Sequence, residues 1–194
     1  MKWYTIGSIT IPVSQLALGI TFLLIGAYLW WKKEKDLLDV YGNTVFLFII
    51  VWKFSIIIFS FSMVIEAPMS LLYFNGGERG LWLAVMAALM YMAWKWSPQQ
   101  WYDGVKIWMM VIVLFEMLLA MLSGQAGLLD TIRLAGGAMA LSFLIRAPLQ
   151  VLWLFTLWQL LFESWAGEVV STTGLLYIGV TIYFVMIRRK QNIG

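Results

Sequence analysis

Two ionisable side chains sit where nearly everything around them is hydrocarbon. Lys53 interrupts an apolar run from about Leu37 to Ile65, and Glu116 interrupts one from about Gly104 to Leu122. A charge in such a run is costly in lipid and normally faces a bundle interior, a partner or water. Lys53 falls about sixteen residues after its run begins and Glu116 about twelve after its own. At ~1.5 Å rise per residue, their depths agree within roughly one turn if both runs cross in the same direction. The spacing therefore predicts an ion pair between Lys53 and Glu116. Such a pair does no more than join two helices unless Lys53 also faces a cavity, where it would hold an anionic lipid headgroup. Arg133 and Arg146 bracket a third, less apolar stretch. The ordinary reading of both is snorkelling to the interface, and the sharper one is contact with phosphate. Lys53, Glu116, Arg133 and Arg146 are thus the candidate lipid-binding residues.

What the chain lacks narrows the chemistry. It has no cysteine, hence no disulfide, thiol nucleophile or thiolate metal site. It has no histidine, hence neither the commonest metal ligand nor the commonest general base near neutral pH. Nothing specifies a nucleophile beside a base and an orienting group, so no catalytic residue, metal or cofactor is expected. The net charge of +3 comes from basic residues at segment ends. That distribution reads as a topology signal rather than as a nucleic-acid surface.

The elements that must position these residues are membrane helices. Hydrophobic residues make up 62% of the chain and charged ones 12%, against roughly a half and a quarter in soluble domains. Spans are expected at about 11–31, 37–65, 80–93, 104–122, 149–162 and 170–187. The second is longer than one crossing needs, so a tilt or kink is expected there. The stretch 127–145 is marginal: it carries Asp130, Arg133 and the pair Gly136-Gly137. With the N-terminus outside, Lys32, Lys33, Lys35, Lys95 and Lys106 fall inside, as basic residues prefer. If 127–145 also crosses, Arg146 and the tail Arg188-Arg189-Lys190 fall inside as well, and the loop around Glu163 and Glu168 falls outside. Seven crossings with the C-terminus in the cytoplasm are favoured. The fold class is an all-α polytopic membrane protein, and residues 1–194 form one transmembrane domain with no linker or repeat. The pair Gly76-Gly77 reads as a turn, the twelve tryptophans mostly as interface anchors, and the hydroxyl residues within spans as bonding back to their own helices.

The order of landmarks resembles bacterial prolipoprotein diacylglyceryl transferase over most of the chain. Ile6-Gly7-Ser8-Ile9-Thr10-Ile11 is similar to the opening of that family. So are Leu37-Leu38-Asp39 with Tyr41-Gly42, Lys53 with Phe59, Pro68 with Phe74-Asn75-Gly76-Gly77, Pro148-Leu149-Gln150, and Gly167-Glu168-Val169-Val170 with Tyr177 and Arg188. The resemblance implies seven crossings, an outer N-terminus, the bacterial inner membrane, and phospholipid and lipoprotein as partners. The departures concern the chemistry. The family's His-Gly-Gly has no counterpart, and Pro12, Val13 and Ser14 replace an aromatic and an arginine. The signature Gly-Arg-x-Gly-Asn falls at Glu116-Met117-Leu118-Leu119-Ala120, and an essential arginine and a later acid align with Thr181 and Val185. The region of the periplasmic head shrinks to about 125–146.

The reading that follows is a non-catalytic protein on that scaffold, binding a lipid, a lipoprotein or another membrane protein. The alternatives are an active lipid-modifying transferase with relocated residues, a small transporter or channel with Lys53 and Glu116 along its path, and a structural subunit of a larger complex.

Overall fold

A computed structural model describes residues 3–6, 9–69, 71, 74–96, 100–124, 127–167 and 171–193, with side chains described between 11 and 189. Gly7, Ser8, Pro98, Gln99, Glu168, Val169 and Val170 lie outside the described residues. The described residues are all-α apart from one hairpin. Strands β1 (Trp3–Ile6) and β2 (Ile9–Pro12) pair antiparallel, with Trp3 opposite Pro12 and Ile6 opposite Ile9. Eight helices follow among the described residues: α1 (Val13–Trp31), α2 (Lys35–Phe59), α3 (Phe61–Glu66), α4 (Gly77–Lys95), α5 (Trp101–Ser123), α6 (Leu128–Phe143), α7 (Pro148–Trp165) and α8 (Thr172–Ile193). Of these, α1, α2 and α5 are long and apolar enough to cross a bilayer by length and composition.

The outward faces fit lipid rather than water. Leu23, Trp94 and Ile145 are 75%, 79% and 80% exposed, and Phe46, Met90 and Leu154 are exposed too. Isolated apolar residues on a soluble surface need no explanation, but faces paved with them do. The inward faces are the tighter and more polar ones. Along α1, Val13, Ala17, Thr21 and Ile25 form a buried stripe at four-residue spacing. The Thr21 hydroxyl donates to the Ala17 carbonyl at 2.8 Å, so its burial leaves no orphan group.

The contacts group into two compact units, Met1–Tyr28 with Ser97–Gly194, and Leu29–Trp96. In the second unit, α2 and α4 pack along each other. The expected kink is a break at Ser60, between α2 and α3. The Gly76-Gly77 turn also docks α4. Gly77 has φ +60°, and the Gly76 amide donates to the Trp52 carbonyl at 3.2 Å. The Trp52 indole in turn donates to the Gly77 carbonyl at 3.1 Å. A methyl at Gly80 would strike the Ser55 hydroxyl, so a glycine lets the two backbones approach.

In the first unit, α5, α6, α7 and α8 form an array in which neighbours in sequence pack together, with α5 also touching α7 and α8. Each helix runs opposite to the one before. At one end, residues late in α5 meet residues early in α6 and α8. At the other, the Trp101 indole at the start of α5 donates to the Phe184 carbonyl late in α8 at 2.8 Å, and the Arg188 guanidinium lies 4.5 Å from the Trp101 ring. Short links between antiparallel helices are the usual up-and-down bundle arrangement. Gly124 ends α5 in the left-handed conformation, φ +63°. The Asp130 carboxylate accepts from the Gly127 amide at 2.9 Å to start α6. Pro148 occupies the first turn of α7, where its missing N–H costs nothing. The marginal stretch 127–145 is therefore a helix packed on two neighbours. At 16 residues it spans roughly 24 Å, short of a ~30 Å hydrocarbon core.

Candidate functional site

The up-and-down order brings four helices to a common level one or two turns below one end of the first unit. Glu116 lies near the end of α5, Arg133 near the start of α6, Gln159 and Glu163 near the end of α7, and Tyr177 near the start of α8. Their side chains form one network. Arg133 Nη2 lies 2.7 Å from Glu116 Oε1 and 2.9 Å from Glu163 Oε1. Arg133 Nε donates to Gln159 Oε1 at 2.6 Å, and Gln159 Nε2 donates to Glu116 Oε2 at 3.3 Å. The Tyr177 hydroxyl donates to Glu116 Oε1 at 3.1 Å. Ser171 caps α8 by accepting from the Gly174 amide, and its hydroxyl donates to Glu163 Oε2. The two carboxylates and the amide are thus nearly saturated, as buried polar groups must be.

Close packing makes this possible. A methyl at Gly136 would fall on the Trp158 indole, and one at Gly137 would lie 2.9 Å from a Val113 methyl. The paired glycines bring α6 against α7 and α5, and the Trp158 indole donates to the Arg133 carbonyl at 3.1 Å. Deeper in the bundle, the hydroxyls of Thr156 and Thr181 share a 2.6 Å hydrogen bond, and Thr156 also bonds back to the Leu152 carbonyl. Because Thr156 keeps that back-bond, Thr181→Val is expected to cost only about 0.6 kcal/mol, the average worth of an interhelical hydrogen bond in a membrane protein. Reversible unfolding in detergent measures it.

One face of the network is open. A half-open cleft of about 530 Å³ reaches Glu116 and Arg133 from the end of the bundle. Its walls are apolar at Val13, Leu119 and Leu134 and polar at Ser14, Ser123 and Asp130. A guanidinium has five N–H donors. Three of those of Arg133 are taken by Glu116, Glu163 and Gln159. Among the described residues, its Nη1 amino group has no protein partner. Asp130 sits one turn earlier on the same face of α6, and its Oδ1 likewise has none. The arrangement can bind a polar group by ion pairing. In it Glu116 and Glu163 are bound to the guanidinium, the Ser171 hydroxyl caps a helix and holds a carboxylate, and the Tyr177 hydroxyl holds the other.

Of the four residues singled out by the sequence, Glu116 and Arg133 come together in the first unit, Arg146 lies in that unit too, and Lys53 belongs to the second. The expected partner of Glu116 was Lys53. In the first unit the Glu116 carboxylate is held by Arg133, Gln159 and Tyr177. Arg133 turns inward rather than snorkelling, because two carboxylates wait for it. Arg146 is exposed at the opposite end of α6, 5.9 Å from the Phe143 ring. Glu163, expected in an outer loop, is in the last turn of α7 and only 9% exposed, because it faces Arg133. Gln159 and Glu163 were not singled out. Thr156, Gln159 and Glu163 fall at three- and four-residue spacing, a polar stripe on an otherwise apolar helix, and that was the available signal.

Against this geometry stand the comparisons with known proteins. No known protein family, curated protein or solved structure matches the chain.

Proposed function

We propose that this chain is a non-catalytic, lipid-binding protein of the bacterial inner membrane. It has seven crossings and a scaffold like that of prolipoprotein diacylglyceryl transferase. The observation that carries the binding role is the guanidinium of Arg133 lining a partly apolar cleft, its Nη1 group without a partner among the described residues. An amphiphile with a phosphate fits both features: the guanidinium takes the phosphate, and Leu119 and Leu134 take the first carbons of its chains. Leu128, Leu129 and Ile132 beside the cleft are exposed, giving the acyl chains an apolar face to follow.

Orientation is supported by charge. The cluster end of the first unit carries Asp130 and Glu163, while the opposite end carries Lys106, Arg146, Arg188 and Arg189. Basic ends stay in the cytoplasm, so the cleft opens toward the outer leaflet. Glu116 lies seven residues from the end of α5, roughly 10 Å along the helix, so it sits below the headgroup level and a polar group reaches it only through the cleft. Loss of transferase activity is supported by residue types. Where the resemblance places two arginines, the chain has the Glu116 region and Thr181, and the guanidinium of the first-unit network comes from α6 and is held by two acids.

Native mass spectrometry of the detergent-purified protein is expected to show a single tightly held phospholipid. Incubation with labelled phosphatidylglycerol and a lipobox peptide is expected to give no transfer. Absence of any lipid adduct would remove the binding role, and transfer of diacylglyceryl to the peptide would restore the enzyme.

A further inference from the structure

The charges around the cleft do not suit an anion. Glu116 and Glu163 share one guanidinium, which leaves the network one negative charge in excess, and Asp130 at the cleft wall adds another. Like charges add at high cost where the dielectric is low. A phosphate without a counter-charge would therefore meet one open amino group beside two lining carboxylates, Asp130 and Glu116. A positive group meets the opposite situation: Asp130 has one oxygen occupied by the Gly127 amide and the other open.

We infer that the ligand of this cleft is a phospholipid with a primary ammonium headgroup, of the phosphatidylethanolamine class, its phosphate on Arg133 Nη1 and its ammonium on Asp130. Asp130 and Arg133 stand three residues apart on one helix face, where neighbouring Cβ atoms are ~5–6 Å apart. That span suits two groups joined by the short ethylene link of phosphoethanolamine. A quaternary ammonium is a poorer fit. It has no N–H to donate to Asp130, and no aromatic ring is among the described residues lining the cleft to receive it. The inference rests on the lipid-binding role proposed above and specifies its headgroup.

The test is competition on the intact detergent-purified protein, with phosphatidylethanolamine, phosphatidylglycerol and phosphatidylcholine of matched chains, read by native mass spectrometry. Phosphatidylethanolamine is expected to be retained about fivefold over either of the others, the scale of one partly exposed charge pair. Asp130→Asn keeps an acceptor for the Gly127 amide and is expected to reduce that ratio to about one without loss of fold. Equal or stronger retention of phosphatidylglycerol overturns the headgroup assignment and leaves the lipid-binding role standing. Retention of no lipid overturns the role itself. A selectivity unchanged in Asp130→Asn shows that the ammonium sits elsewhere and overturns the assignment. Soluble glycerophosphoethanolamine is expected to compete only at far higher concentration, and binding as tight as the lipid's would remove the membrane as its source.

Discussion

Arg133→Met is expected to destabilise the protein by about 3–5 kcal/mol, the scale for removing one partner of a buried ion pair. The cost comes less from the lost attraction than from what is left behind. Glu116 and Glu163 would face each other across an apolar side chain, and Gln159 would lose the donor that orients its amide. Unfolding in mild detergent, followed by intrinsic tryptophan fluorescence, measures the effect. The triple variant Arg133→Met, Glu116→Gln, Glu163→Gln removes the unpaired charges together. It is expected to recover most of the lost stability, because a buried ionic cluster replaced whole by neutral groups costs far less than one broken in half. A triple variant as unstable as the single one would mean that packing, not charge, made Arg133 necessary.

Gly136→Leu is the second large effect, expected at about 3 kcal/mol, the upper part of the range for overpacking. Even a methyl there falls on the Trp158 indole. The ring would have to leave, taking with it the hydrogen bond to the Arg133 carbonyl and the edge-to-face contact with Phe162 at 5.1 Å between centroids. Gly19→Leu, in α1 of the same unit, is the matched control. Nothing beyond its own stretch of helix lies within 4 Å of the added Cβ, and the change is expected to stay within about 0.5 kcal/mol. Similar losses at both positions would mean that glycine is needed for backbone flexibility rather than for close approach.

The helices were legible in the sequence because a continuous apolar run needs no knowledge of its neighbours. The break at Ser60 was legible as excess length, and the turn at Gly76-Gly77 as a glycine pair. The β1–β2 hairpin was not, since its strands are four residues each and precede a strong helical signal. The site was legible in its ingredients and not in its pairing. Glu116 stood out because it interrupts hydrocarbon. Arg133 could not be chosen as its partner by depth, since depth does not say that α5 and α6 pack together. The stretch holding Arg133 looked marginal as a span for the same reason that it matters: Asp130 and Arg133 lower its hydropathy, and they are spent inside the bundle and on the cleft. Glu163 looked like a loop residue because an acid at the end of an apolar run ordinarily marks the interface.

Arg133→Lys separates the two roles of the guanidinium. An ammonium has three N–H donors, enough to hold Glu116, Glu163 and Gln159 and none left for the cleft. Phospholipid bound per chain, quantified after purification in the same detergent at matched folded fraction, tests the central claim most directly. The wild-type protein is expected to retain its lipid and Arg133→Lys to lose most of it while remaining folded. Full retention by the folded Arg133→Lys variant would contradict a headgroup site at Arg133.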